Sequence, residues 1–226
     1  MSVVVTTVSG GLDSVTLAHT LAAEGHDQVL VSFDYGQRHA KEIDFARACA
    51  ARLGSDHHVV DLRSVGGLLT GSALTDAEVA VPEGHYTDAS MAATVVPNRN
   101  AIMLSIAIGV AVARGAEAVA TAVHAGDHPI YPDCRPAFIE AIEREARIGN
   151  EGFVVDGFRV LAPFLQTTKD EIVRRGVATG VPFAETWSCY VGGELHCGRC
   201  GTCVERREAF ELAGVSDPTV YETVPA

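Results

Sequence analysis

Short apolar runs alternate with longer amphipathic segments along most of the chain. The apolar runs predict β-strands over residues 3–7, 29–33, 58–62, 116–121 and 158–161. The amphipathic segments predict helices over residues 15–23, 40–54, 100–114, 135–149 and 168–180. Because strand and helix alternate, we predict an α/β fold, with a doubly wound, mostly parallel sheet and helices on both of its faces. In such folds the ligand lies beyond the carboxyl ends of the strands.

Two stretches depart from this alternation. Residues 63–97 are rich in Gly, Ser, Thr and Ala, and a loop of this length in a compact domain is often functional or mobile. Residues 187–203 are rich in cysteine and are expected to form a small appendage. No shift of composition marks an independent second domain.

Charge and composition exclude some classes of function. The 226 residues include 17 Lys and Arg against 29 Asp and Glu, which gives a net charge of −12. This balance argues against a broad basic surface for nucleic acid or an anionic membrane, but it allows a local basic pocket for a nucleotide. With no apolar run of about 18 residues and no charged leader, we expect a cytoplasmic protein. The two lysines are Lys41 and Lys169, so Lys169 is easy to single out.

An anion-binding loop is predicted where the first strand meets the first helix. Residues 8–14 have the sequence VSGGLDS. Glycines let the backbone turn sharply and let a ligand approach the amides, and the helix N-terminus favours phosphate. Ser9 and Ser14 add hydroxyl donors, and Asp13 can hold the loop's shape or a metal. The loop lacks the Gly-Lys-Ser/Thr ending of a Walker A motif, so γ-phosphoryl transfer is disfavoured. An ordinary Gly-rich turn is the alternative.

Polar residues also occur after the second strand and before the apolar helix. Residues 35–39 have the sequence YGQRH and follow the second strand directly, where contact with nucleotide or substrate is favoured over a solvated turn. Residues 97–100 have the sequence PNRN. Arg99 is poorly placed for the helix dipole there, so it either binds an anion or points into solvent.

The loop after the fourth strand, residues 124–135, is dense in polar chemistry. A metal site is one interpretation, but we prefer substrate recognition, because carboxylates suit the donor edge of a guanine-like base and Arg135 suits a carboxylate. The possible metal ligands there are His124, Asp127, His128 and Asp133. Cys134 is either a nucleophile or, as we favour, a small packing residue.

Four cysteines near the C-terminus have the spacing of a metal site. The ligands are Cys189, Cys197, Cys200 and Cys203. Four thiolates match a closed tetrahedral Zn²⁺ site, which is expected to be structural. Two disulfides are the less favoured alternative, because cysteines this closely spaced make strained bridges. His196 is a less favoured ligand, and Cys49, in the middle of a predicted helix, is assigned to the core.

Together these segments resemble a known family. The loop, YGQRH and PNRN occur in order with YPDCR at 131–135, TKDEI at 168–172 and the cysteine cluster. The combination resembles the QueC family of 7-cyano-7-deazaguanine synthases, in the ATP pyrophosphatase (PP-loop) superfamily. The resemblance implies an adenine nucleotide alpha hydrolase-like, Rossmann-like fold, with a nucleotide-binding domain over residues 1–186 and a zinc-binding region over 187–226 packed on it. It also implies Mg²⁺, one Zn²⁺ per subunit and a homodimer.

The resemblance suggests the nucleotide contacts over residues 8–18, whereas charge and placement suggest the roles of Arg38, Arg99, Arg135 and Lys169. Nucleotide contacts are expected at Val8, Ser9, Gly10, Gly11, Leu12, Asp13, Ser14, Val15, Thr16, Leu17 and Ala18, with Arg38 and Arg99 on phosphates. Substrate contacts are expected at Tyr35, Gln37, Asp127, Asp133 and Arg135. Catalytic roles are expected for Ser9, Asp13, Ser14, Lys169 and Arg135.

The reaction that the resemblance implies is a C–N ligation that uses ATP. The carboxylate of 7-carboxy-7-deazaguanine is adenylated, free ammonia forms the amide, and a second adenylation gives the nitrile used for queuosine or archaeosine. Rival hypotheses are a related PP-loop enzyme that stops at the amide or joins the acid to another amine, a tRNA-modifying enzyme, and a zinc-stabilised nucleotide-binding module.

Overall fold

The computed structural model describes residues 3–85 and 92–223, so residues 86–91 of the predicted long loop lie outside the described residues. The strands are β1 (Val3–Thr7), β2 (Asp27–Asp34), β3 (Asp56–Asp61), β4 (Ala118–Ala120) and β5 (Arg159–Leu161). They form one parallel sheet in the order β3-β2-β1-β4-β5. Chain connectivity moves outward from β1 in both directions. A crevice therefore opens beyond the carboxyl end of β1.

Helices connect the strands. They are α1 (Leu12–Ala23), α2 (Glu42–Leu53), α3 (Arg63–Gly66), α4 (Arg99–Arg114), α5 (Pro136–Gly149), α6 (Lys169–Ala178) and α7 (Gly201–Ala213). Single 3-10 turns occur at Ala125–Asp127, Pro132–Cys134 and Phe183–Glu185. Within residues 3–85 and 92–223, no helix combines the length and apolar character that a membrane crossing needs.

The sheet is covered on both faces, as the predicted doubly wound fold requires. Successive residues of β1 point to opposite faces. Val5 lies opposite Val29 of β2 and Val119 of β4, and it contributes to the core under α4 and α5. Val4 contributes to a second core under α1, α2, α6 and α7. The α/β prediction is therefore confirmed.

Several element bounds differ from the sequence predictions. α1 begins at Leu12 instead of residue 15, because Gly10 turns the chain with φ of 94° and the helix starts immediately afterwards. Asp13 and Ser14 thus lie in its first turn. The stretch predicted as a loop contains α3. Helix α7 was not predicted, because the cysteines and the glycine at its start match a metal-binding pattern.

Arg206 joins α7 to the rest of the fold. Its side chain is only 1% exposed. The guanidinium donates to Thr186 Oγ1 at 2.8 Å, to Ser188 Oγ at 3.1 Å and to the carbonyl oxygen of Phe183 at 2.9 Å. Asp217 Oδ1 lies 3.5 Å away and supplies the opposite charge. The cation is buried, but it is paired and hydrogen-bonded on several sides.

We expect Arg206→Met to lower the free energy of unfolding by about 3 kcal/mol, because it leaves a part-buried carboxylate and a buried carbonyl without their partner. Chemical denaturation measures this change. Arg199→Met is the matched control: Arg199 is half exposed and pairs with Glu83 at 3.2 Å, so its loss should cost less than about 1 kcal/mol. Equal effects of the two substitutions would contradict the joining role of Arg206.

Candidate active site

The loop between β1 and α1 is closed by its own hydrogen bonds. Ser14 Oγ accepts from the amide of Ser9 at 3.2 Å and donates to the carbonyl of Gly11 at 3.2 Å. The two serine hydroxyls lie 3.1 Å apart. A Cβ at Gly10 would lie 2.1 Å from the carbonyl oxygen of Glu42. Glycine is therefore required at residue 10 by its positive φ and by the close approach of α2.

A part-buried charge network lies beside this loop. Lys169, at the start of α6, donates to Asp13 Oδ2 at 2.7 Å and lies 3.3 Å from both Glu205 Oε2 and His124 Nε2. Burial alone would raise the pKa of Asp13, but Lys169 and His124 hold that pKa below its usual value. Burial also opposes the ammonium charge, yet Asp13 and Glu205 raise the pKa of Lys169 above its usual value. The pair is therefore ionised at neutral pH.

One atom of this network has no partner. Asp13 Oδ1 is buried and accepts no hydrogen bond from the part of the chain that the structure describes. A buried unpaired carboxylate oxygen is costly, and the neighbouring loop amides favour phosphate. Oxygen ligands are those that Mg²⁺ prefers, so the position of Asp13 fits a metal-bound phosphate chain.

Two cavities meet at the loop. The first has a volume of about 240 Å³ and lies beyond the carboxyl ends of β1, β2 and β4. The second has a volume of about 170 Å³ and is bounded by Lys169, Trp187 and Glu205. They share Ser9, Gly11, Asp13, Glu42, Asp127, Tyr131 and Tyr190. The loop thus faces two adjacent compartments, at the edge of the sheet where a parallel fold binds its ligand.

The structure brings many of the predicted site residues to these cavities. Those lining one or both are Val8, Ser9, Gly11, Leu12, Asp13, Ser14, Tyr35, Arg99, Asp127 and Lys169. The later part of the predicted nucleotide stretch does not line them: Val15, Thr16, Leu17 and Ala18 are buried inside α1. Those four residues hold the helix against the sheet.

Two predicted arginines do not reach the cavities. The exposed Arg38 donates to the carbonyl oxygens of Asp76 at 2.6 Å and Val79 at 2.8 Å. Arg135 is also exposed and donates to the carbonyl oxygen of His128 at 2.8 Å. Backbone carbonyls therefore hold both guanidinium groups away from the site. Neither arginine lines the two cavities, and the anion contacts expected of them stay a prediction.

Gln37 and Asp133 also have structural partners. Gln37 accepts from the amide of Tyr35 at 2.9 Å and donates to the carbonyl of Phe33 at 3.0 Å, which fixes the turn after β2. Asp133 accepts from the amide of Asn100 at 3.2 Å in the first turn of α4. Neither residue lines the two cavities, and the substrate contacts expected of them stay a prediction.

Sequence reasoning missed Glu42, which lines both cavities. Burial raises the pKa of its carboxyl group to about 8, although Gln37 donates to it at 3.2 Å. His39 Nε2 lies 3.5 Å from Glu42 Oε1, and burial lowers the pKa of His39 to about 3. An acidic residue in the first turn of a helix is usually explained by the dipole, so nothing in the sequence indicated that Glu42 faces inward. Tyr190, which lines both cavities, and Glu205, which lines the second, were also missed.

Cys134 lines the first cavity but is not a reactive thiol. Burial, with Asp127 and Asp133 nearby, raises the pKa of the thiol above its usual value. Asn100 Nδ2 lies 3.2 Å from the sulfur. We expect Cys134→Ala to keep turnover within about fivefold of wild type, because the thiolate needed for nucleophilic attack is not formed. A loss of a thousandfold in steady-state rate would restore the nucleophile hypothesis.

The four C-terminal cysteines form the predicted cluster. Their sulfur atoms all lie within 4.8 Å of one another and are buried. Two of the sulfur pairs are 4.0 Å apart, close to the roughly 3.8 Å expected around a tetrahedral metal and far from the roughly 2 Å of a disulfide. The amides of Cys197 and Cys200 point at sulfur atoms at 3.4 and 3.2 Å. The cluster can therefore hold a metal ion.

Comparison with known proteins shows the family to which the chain belongs. The profile of the family described as "Queuosine biosynthesis protein QueC" matches residues 3–214. A 7-cyano-7-deazaguanine synthase of Rhizobium etli is 63% identical over 214 residues, which cover 95% of this chain and 89% of the relative. One from Ruegeria is 62% identical over 213 residues, covering 94% and 90%. NMN synthetase from Francisella tularensis has a TM-score of 0.53 at 12% identity, covering 94% of this chain and 77% of the other, a likeness of fold alone. The chain belongs to the QueC family of queuosine biosynthesis proteins.

Proposed function

We propose that the protein makes 7-cyano-7-deazaguanine from 7-carboxy-7-deazaguanine, ammonia and ATP, as a C–N-forming ligase of queuosine precursor biosynthesis. The observation that carries this proposal is the match over residues 3–214 together with relatives of that name at 63% identity. The geometry supports it, because two adjoining cavities meet at a glycine-rich loop that lacks a Walker A lysine.

The chemistry explains why such a loop is needed. A carboxylate is a poor acyl donor, because oxide is a poor leaving group. Attack of the carboxylate on the α-phosphorus of ATP releases pyrophosphate, and AMP then leaves when ammonia forms the amide. Attack of the amide oxygen on a second ATP releases pyrophosphate again. Loss of that oxygen as AMP, with two protons leaving nitrogen, gives the nitrile.

The residues around the loop have distinct parts in this scheme. The N-terminus of α1 and the amides of the loop bind the phosphate chain, and Lys169 lies where it can neutralise the departing pyrophosphate. Asp13 would hold Mg²⁺ through its unpaired oxygen, and the ion would neutralise phosphate charge when bound. Because pyrophosphate leaves from the same place in both adenylations, one loop serves both by positioning and charge stabilisation.

Further features belong to the same proposal. The cysteine cluster would hold one structural Zn²⁺, since four thiolates leave no open position for chemistry. Residues 1–186 would form the nucleotide-binding domain and residues 187–226 the zinc region. We also propose that the protein is a homodimer, that ammonia is the nitrogen donor, and that the protein is located in the cytoplasm.

Mass spectrometry of the products tests the function. The purified protein is incubated with 7-carboxy-7-deazaguanine, ATP, Mg²⁺ and ¹⁵N-ammonium, with ammonium omitted in a control. We expect labelled nitrile and two AMP per nitrile. Labelled amide with one AMP as the final product would identify the related enzyme that stops at the amide. Absence of AMP and nitrile would overturn the synthase proposal.

A further inference from the structure

Glu42 is a buried acid that the reaction scheme above does not use. It is the first residue of α2, and its own carbonyl oxygen touches the loop at Gly10. Its side chain is about a tenth exposed and lines both cavities. Its carboxyl group therefore lies beside the loop between β1 and α1 and faces both cavities.

The surroundings of Glu42 supply few donors. Gln37 Nε2 donates to Oε1 at 3.2 Å, and His39 Nε2 lies 3.5 Å from the same oxygen. Arg99 of α4 lines the first cavity, and its charge lowers the pKa of Glu42. Asp13 and Asp127 line both cavities. His39 also lines the first cavity, and its buried Nδ1 has no hydrogen-bond partner among residues 3–85 and 92–223. The site thus offers acceptors to a ligand rich in N–H groups.

We propose that Glu42 is the residue that recognises the 2-amino-pyrimidinone edge of the substrate, accepting hydrogen bonds from the ring N1–H and the exocyclic 2-amino group. This inference rests on the proposed function, which supplies a guanine-like heterocycle. An ionised carboxylate has two oxygens that accept in parallel, and this edge presents two donors side by side. Recognition of a buried polar edge in this way rejects analogues that lack one of the donors.

The other candidate carboxylates are bound by backbone amides or by Lys169. Asp127 Oδ2 accepts from the amide of His124 at 3.0 Å, and its Oδ1 lies 3.6 Å from His124 Nε2. Asp13 binds Lys169. Asp133 does not line either cavity and binds the first turn of α4. Glu42 and Asp127 both form no salt bridge to Lys or Arg in the part of the chain that the structure describes. Asp127 already accepts from a backbone amide, whereas Glu42 accepts, among those residues, only from the side chain of Gln37.

Substrate binding to Glu42 has a pH signature. Without substrate, the carboxyl group of Glu42 has a pKa of about 8, and it must lose its proton to accept two hydrogen bonds. We therefore expect substrate affinity to rise as pH rises from 6 to 8, by up to about tenfold per unit, and then to level off. Within this window His39 stays neutral, and Arg99, Asp13 and Lys169 stay charged.

The test compares 7-carboxy-7-deazaguanine with its 2-deamino analogue, which lacks the exocyclic amine, by calorimetry in the presence of a non-hydrolysable ATP analogue. We expect wild type to bind the analogue about 10- to 100-fold more weakly. The Glu42→Gln variant should lose most of this preference and most of the pH dependence, with affinity for the ATP analogue unchanged. Asp127→Asn is the matched comparison and should keep the preference.

Several outcomes would contradict the role of Glu42 in substrate recognition. A preference retained by Glu42→Gln, a preference lost in Asp127→Asn instead, or weakened binding of the ATP analogue in Glu42→Gln would overturn the assignment. Equal binding of both compounds by wild type would overturn it without any variant, even where Glu42→Gln does not fold. Failure of wild type to bind or convert the carboxy acid at all would instead contradict the proposed function.

Discussion

We expect Lys169→Met to lower turnover about a thousandfold, measured as pyrophosphate release in the steady state. Lys169 is the cation that donates to Asp13 at 2.7 Å beside the loop, and a fixed charge at a departing anion is worth about this much. The free energy of unfolding should fall too, by about 3 kcal/mol, because Asp13 and Glu205 then face each other without the ammonium between them. Methionine keeps the length of the side chain, so loss of packing contributes little.

Lys41→Met is the matched control, since Lys41 is the chain's other lysine. Its ammonium donates to the carbonyl oxygens of Gly193 and Glu194, both at 2.9 Å, and lies 4.1 Å from the centre of the Trp187 ring. It does not line either cavity, and we expect turnover within tenfold of wild type. If Lys169→Met kept more than a tenth of wild-type turnover, Lys169 would be a structural residue and the pyrophosphate role would be wrong.

Most features that depend on residues close together in the sequence were predicted correctly. The predicted strands overlap all five strands of the sheet. The apolar pattern is clearest in the central strand β1, which is covered on both faces, as the full burial of Val4 and Val5 shows. The loop at Gly10 and the cysteine cluster were found because glycine turns and metal ligands depend on residues close in sequence. The start of α1 was misplaced because Leu12 belongs at once to the loop and to the helix.

Long-range contacts were beyond the reach of sequence patterns. Arg38 and Arg135 carry the right charge and follow the right strands, yet carbonyl oxygens distant from the loop hold their side chains at the surface. Glu42 has an ordinary helix-start sequence, and only its place in the lining of both cavities shows that it faces the site. Which polar side chain points inward depends on packing between elements, and sequence periodicity does not encode that packing.

We expect Cys200→Ser to remove the bound metal and to produce the largest loss of stability of any substitution considered. Zinc content, measured by atomic emission, should fall from about one per chain to near zero. Apparent binding energies of structural zinc sites are on the order of 10 kcal/mol, so the melting temperature should fall steeply. Trp187, the chain's one tryptophan, donates from Nε1 to the carbonyl oxygen of Cys189 at 2.8 Å and packs in the same cluster. Its fluorescence should therefore shift to the red.

Cys49→Ala separates this effect from the loss of a buried thiol elsewhere. Cys49 is buried in α2, away from the cluster, so its variant should keep the metal and the Trp187 emission while losing only about 1 kcal/mol of stability. If Cys200→Ser kept full zinc content, the four-thiolate site would be wrong. If it lost the zinc but kept the melting temperature and emission of wild type, the metal would not hold the region together. Because Glu205 lies one turn beyond Cys200 in α7 and contacts Lys169, loss of the metal should also disturb the charge network beside the loop.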